Sequence, residues 1–258
     1  MTAVLEVRGV GVSFGGLAAL RDVTFALPRA AIHGVIGPNG AGKTTLFNVL
    51  GGVIPPDAGR VSFLGEDITG LPPYRIARLG LARTYQIVRP LGELTVLENA
   101  MVGACFGRHQ LAGAKAKARA AETLHRVGLG DRLEQTAVTL NLAQKKRLEL
   151  GRALAADPHL LLLDEVLAGL NPTEVTRMLG TLRGIRDDGV AILMIEHVMR
   201  AIMGVSDHVL VLDAGALLAE GSPAEIAKDP RVIDAYLGKA DPGTSRRDSG
   251  VRRSDRAA

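Results

Sequence analysis

The 258-residue chain reads as an α/β protein with a mostly parallel core sheet, an antiparallel β subdomain and an inserted helical subdomain. Three observations predict this. Ile32–Ile36, a glycine-rich loop from Gly37 to Gly42 and an apolar segment from Lys43 to Leu50 follow one another as strand, loop and helix. Uninterrupted apolar runs at Leu160–Leu163, Val190–Ile195 and Val209–Leu212 alternate with a helical pattern from about Thr173 to Arg186. Such runs mark parallel strands covered on both faces. Between these blocks, from Val96 to Ala156, the composition turns helical.

Taken in order, Val4, Val7 and Val10 lie in short strand-like segments, and Val23–Leu27 forms another before Pro28, an antiparallel entry. Pro55–Gly59 and Leu71–Pro73 punctuate the next stretch as turns, with a strand from Arg60 to Leu64 between them. The helical subdomain occupies about residues 88–156: Ala- and Lys-rich over 112–126, broken by Gly128 and Gly130, and resuming from Gln144 to Ala156. The folded domain spans residues 1–238, and the Ser-, Arg-, Asp- and Gly-rich segment 239–258 reads as a disordered tail.

Composition narrows the function. Apolar residues at 47% and charged ones at 22% match an ordinary globular protein. The net charge is only +4, and five arginines against three aspartates in 240–258 supply half of it. With 3% aromatics and no tryptophan, the chain offers little for stacking nucleic-acid bases. Cys105 is the only cysteine, so a disulfide within the chain or a cysteine metal cluster is excluded, as suits a reducing compartment. Glu6 and Arg8 interrupt the first apolar run, which does not read as a secretory signal. No uncharged stretch approaches the roughly 20 residues of a membrane span, so a membrane role would be peripheral.

The chemistry is concentrated in two places. Gly37-Pro38-Asn39-Gly40-Ala41-Gly42-Lys43-Thr44 fits the phosphate-binding pattern G-x4-G-K-[ST], and it lies between a strand and a helix as that pattern requires. Glycines let backbone N–H groups close around a phosphate, and the helix start adds its positive dipole end. Lys43 is expected to reach the β- and γ-phosphates, Thr44 to ligate Mg²⁺, and the nucleotide site to run from Gly37 through Thr45. The apolar run Leu160–Leu163 then ends abruptly in Asp164 and Glu165. Asp164 is expected to hold Mg²⁺, and Glu165 to orient or deprotonate the attacking water.

These elements resemble the ABC-type ATPases, P-loop NTPases, and the likeness extends over roughly residues 4–238. The resemblance implies that Phe14 stacks on adenine. It makes Gln86 a contact to Mg²⁺ or water, and His197 the switch histidine at the γ-phosphate. The family's signature, usually Leu-Ser-Gly-Gly-Gln, faces the nucleotide of the opposite subunit; here it reads Leu140-Asn141-Leu142-Ala143-Gln144. Asn141 can still donate a hydrogen bond, whereas Ala143 would add a methyl group where glycine allows close approach. A second departure is Asn171, where the family commonly has a carboxylate.

Within the superfamily the chain is most similar to the Liv-type ATP-binding subunits of branched-chain amino acid importers. Phe14–Leu17, Arg83–Gln86, Leu94–Asn99, Gly169–Glu174, Ile195–Met199 and Ala235–Gly238 carry that likeness. It implies a Mg²⁺-dependent ATPase on the cytoplasmic face of the plasma membrane. Its partners would be a second ABC ATPase subunit, in a heterodimer rather than a homodimer, two permeases and, indirectly, a periplasmic binding protein. A hydrophobic groove near Gln86–Leu97 would receive a short permease helix. Two other readings stand beside it: an ABC protein acting on ribosomes or DNA, and a pseudo-ATPase that binds nucleotide only to regulate.

Overall fold

The computed structural model describes residues 3–86 and 89–237. Alternating burial makes β1 (Ala3–Phe14) and β2 (Leu17–Pro28) one antiparallel hairpin, closed at Gly15-Gly16 and interrupted by bulges. β1 is a single long strand, where the sequence suggested shorter segments. The all-buried β3 (Ile32–Ile36) leads through the glycine-rich loop into α1 (Lys43–Leu50). β4 (Ala58–Phe63) and β5 (Glu66–Asp67) complete a four-stranded antiparallel sheet in the order β2-β1-β4-β5.

Leu71–Pro73 does more than turn the chain. Pro73 opens α2 (Pro73–Leu79), because proline at the first helical position lacks only an N–H that has no intrahelical partner there. β6 (Leu81–Arg83) follows, then the helical block of α3 (Val96–Phe106), α4 (Gly113–Arg126) and α5 (Leu142–Ala155), which pack on one another. β7 (Leu160–Asp164), α6 (Pro172–Asp187), β8 (Ala191–Ile195), α7 (Met199–Val205) and β9 (His208–Asp213) rebuild the α/β core. β10 (Ala216–Gly221), α8 (Pro223–Ile226) and α9 (Pro230–Leu237) close it; none of these three was expected from the sequence.

The main sheet has the order β10-β9-β3-β8-β7-β6, parallel except for β10 at its edge. Its side chains divide by the two-residue period between two cores. Leu160 and Leu162 of β7, with Leu193 of β8, face the antiparallel sheet and Phe47 of α1. Leu161 and Leu163, with Ile192 and Met194, face the helical block, α6 and α7. Each fully buried leucine here contributes about 1.5–3 kcal/mol. Strands with apolar side chains on both faces therefore pin their C-terminal ends, where Gly37, Asp164 and His197 stand. The expected tail, 239–258, lies outside the described residues.

Candidate active site

The loop after β3 is shaped by close approach. A Cβ on Gly37 would stand 2.0 Å from the Leu212 carbonyl oxygen, and one on Gly42, at φ +99°, would stand 2.5 Å from that of Ala19. Only glycine fits either place. Gly42 precedes α1 and offers no side-chain cap, so the first-turn N–H groups, which have no intrahelical partner, are left for another acceptor. Lys43 folds back across the loop, its Nζ donating to the carbonyls of Gly37 (2.7 Å) and Pro38 (2.9 Å). Burial pulls its ammonium below the usual lysine range, while Glu165 and Asp164 oppose that shift.

Asn39, Gly40, Ala41, Gly42, Lys43, Thr44 and Thr45 line a cleft of about 280 Å³ together with Gln86, Glu165 and His197. The fold thus assembles residues from the loop, from beyond β6 and from the ends of β7 and β8. Both oxygens of Glu165 are engaged: Gln86 Nε2 donates to Oε2 at 2.8 Å, and His197 Nε2 lies 2.9 Å from Oε1. Glu165 itself sits at φ +50°. A non-glycine residue in that region costs on the order of 1–3 kcal/mol, which the surrounding bonds must offset.

Asp164 floors an adjoining cleft that Thr44, Asn48 and Gln86 also line. Burial raises its carboxyl above the usual range, opposed by Arg83, whose Nη2 lies 3.2 Å from Oδ2. Arg83 is held in turn by Asn48 Oδ1 at 2.8 Å. A hydroxyl, amide oxygens and carboxylates border this cavity, the oxygen donors Mg²⁺ takes, with Arg83, Arg89 and Arg152 also lining it to meet an anion.

Other expected residues stand apart. Phe14 does not line the cleft; it is 51% exposed at the tip of the hairpin whose second strand contributes Ala19 to the cleft wall. The signature residues also lie away from this cleft, at the start of α5. Asn141 caps that helix, accepting from the Gln144 N–H at 2.9 Å, while Gln144 Oε1 accepts the Asn141 N–H at 3.0 Å. Ala143, expected to add its methyl group at the signature surface, is instead 5% exposed and borders a small pocket that Leu170 and Met178 of its own chain also line. The group added at the surface is Leu142, 47% exposed and packed over Gly169. The apolar groove is likewise displaced from Gln86–Leu97. It runs between α2, β6 and α3, lined by Ile76, Leu81, Tyr85, Val102 and Phe106.

Sequence reasoning missed three buried charged residues beside the site, Lys146, Glu149 and Glu196. Their signal is a charge at a core position. Lys146 and Glu149 belong to the helix face that buries Ala143, Leu150 and Ala153, and Glu196 extends an all-apolar strand.

A phosphate loop, a strand-end acid pair, a strand-end histidine and a helical insertion before a capped helix define an ATP-binding cassette. The chain belongs to the ABC transporter family, whose pattern matches residues 20–168. A second pattern, described as branched-chain amino acid ATP-binding cassette transporter, matches residues 216–242, which hold β10, α8 and α9. The chain is 41% identical over 251 residues to the high-affinity branched-chain amino acid transport ATP-binding protein BraF of Pseudomonas aeruginosa, covering 92% of this chain and 98% of BraF. It is 39% identical over 255 residues to LivG of Escherichia coli, with the same coverage. Among solved structures, the ADP conformation of MJ1267, an ATP-binding cassette of an ABC transporter, superposes with a TM-score of 0.85 at 30% identity, covering 93% of this chain and all of that one. A nucleotide-free cassette from an ABC transporter gives 0.84 at 29% identity, over 92% of this chain and all of its own.

Proposed function

We propose that this chain is the ATP-hydrolysing subunit of an importer for branched-chain or related amino acids, working with membrane permeases. The observation that carries the reading is the convergence of Lys43, Gln86, Glu165 and His197 on one cleft, in a chain whose relatives BraF and LivG are named for branched-chain amino acid transport. The loop N–H groups and Lys43 bind the phosphates of ATP. Thr44, Gln86 and Asp164 would hold Mg²⁺, whose chemistry is to neutralise phosphate charge. Glu165, oriented by Gln86 and His197, takes a proton from the attacking water. His197 contacts the γ-phosphate, and Phe14 stacks on the adenine.

No helix among the described residues is long and apolar enough to cross a membrane. The apolar groove beside β6 suits a short permease helix; on this reading the chain works at the cytoplasmic face of the plasma membrane, with a periplasmic binding protein delivering cargo. The altered signature favours pairing with a second, different ABC ATPase. In a homodimer Leu142 would face both nucleotides, whereas a partner with an unaltered signature completes this chain's own site.

The test is reconstitution of the complex in vesicles. ATP-dependent uptake of leucine, isoleucine or valine is expected, with two different ATPase chains in the active complex. Absence of uptake despite ATP turnover removes the substrate class, and two copies of this chain in the active complex remove the heterodimer.

A further inference from the structure

Gln86, Glu165 and His197 come from three segments far apart in sequence, and each is anchored, directly or through its neighbour, to one buried cluster of charge. Glu149 Oε1 accepts the N–H of Tyr85, the residue before Gln86, at 3.0 Å. Lys146 Nζ donates to the carbonyl oxygen of Glu165 itself at 2.7 Å. Glu196, the residue before His197, accepts the Leu167 N–H at 2.8 Å, two residues beyond Glu165. Lys146, Glu149 and Glu196 are all buried, and none of them lines the phosphate cleft, although Glu149 borders the adjoining cleft of Asp164.

Stability alone gives this cluster no reason to exist. Burying charge is costly, and well-packed apolar residues of similar volume usually serve a core as well or better. The cost shows in the titration of the groups: burial pulls the Lys146 ammonium down and pushes Glu196 up to about 7. What the cluster achieves is geometric. Glu165 is a non-glycine residue in the left-handed region, and the bond from Lys146 grips the peptide that follows it. Lys146 and Glu149 are one helical turn apart on the same face of α5, and α5 begins at the signature, Asn141–Gln144.

We propose that Lys146 is a positioning residue for hydrolysis, holding the Glu165 peptide in its left-handed turn and tying the aim of Glu165 to the helix that begins at the signature. The inference rests on the hydrolytic role given to Glu165 above. A shift of α5, when its signature meets the partner subunit's nucleotide, is then felt one and a half turns later at this chain's own base. Each ATP site is thereby informed of the other without a contact between them.

The experiment uses the full chain in its transport complex and compares wild type with Lys146→Met and Lys146→Arg. ATPase kcat and KM, binding of a fluorescent ATP analogue and thermal melting are measured on each. The methionine variant is expected to lose about 10- to 100-fold in kcat, the scale of a small misplacement of a reacting group. Its affinity for the ATP analogue should stay within about twofold, and arginine, which still donates, should recover most of the rate. Unchanged kcat in Lys146→Met, or a rate loss matched by lost nucleotide affinity, or failure of a folded arginine variant to recover, would overturn the proposal. If the methionine variant does not melt as a folded protein, Lys146→Leu, which likewise has no donor but a different shape, is judged by the same criteria. A wild-type complex that binds ATP and never hydrolyses it would remove the hydrolytic reading itself, and the inference with it.

Discussion

The starts of α1 and α5 are the two places where the sequence leads one to expect nucleotide, yet they are built on opposite plans. α1 begins at Gly42 with no side-chain cap, so its first-turn donors are left for a phosphate. α5 begins at Asn141 with a complete capping box, in which Asn141 and Gln144 satisfy each other's backbone N–H groups. The first loop leaves its donors open for the phosphate the proposed function gives it; the second is finished by its own side chains. The same holds at α6, where Asn171 and Glu174 form an equivalent box. Both asparagines that depart from the usual family pattern thus keep a helix-starting role, since Asn, Asp and Ser are nearly equal as caps.

Lys43→Ala should break the comparison most completely, abolishing ATP binding in a calorimetric titration because the loop loses its only cation. Retained affinity would mean that α1 does not bind the phosphates. Glu165→Gln keeps size and hydrogen bonding but removes the base, so turnover should fall about 10²–10⁴-fold while binding persists. Steady-state ATPase rates alongside a binding isotherm check this.

A third prediction concerns β3, which delivers the first loop. Burial, assisted by His208, lowers His33 to about 4 from its ordinary 6.5. The unfolded chain then takes up the proton first, so stability is full above pH 6.5 and falls as pH drops toward 4, by on the order of 3 kcal/mol. Chemical denaturation at several pH values should show that slope, and His33→Gln should flatten it.

Phe14→Ala should cost about 1–3 kcal/mol of ATP affinity through lost stacking, with an unchanged melting temperature, because the ring is half exposed. A fall in melting temperature instead would make Phe14 a packing residue. The smallest effect belongs to the second loop: Asn141→Ala should lose about 1 kcal/mol of stability to urea, and Asn141→Ser almost none.

Much of this was legible from residue order alone. The phosphate loop needs a fixed string between a strand and a helix, and Asp164-Glu165 stands out because a buried strand has no other reason to end in two acids. The capping boxes were equally readable, with Thr95, Asn141, Asn171 and Ser222 each followed three residues later by Glu or Gln. The inward turn of Ala143 could have been found by following α5 from Ala143 through Lys146 and Leu150 at helical spacing. The partners of that face could not. Lys146 meets Glu165 and Glu149 meets Tyr85 only because the helical block folds back on the ends of β6 and β7, a long-range contact that no local pattern encodes.

The order of strands also carries a consequence for how the protein is made. Among the described residues β3, which bears the phosphate loop, pairs only with β8 and β9, and Gly37 is seated against the Leu212 carbonyl. On a ribosome the loop is therefore among the first sequences synthesised and among the last to acquire its shape, since contacts so distant in sequence form slowly and late. A nascent chain halted before β8 carries every residue of the loop but neither of the strands that pair with β3. Nucleotide cannot stabilise the chain early in synthesis; it can only reward a cassette that is nearly complete.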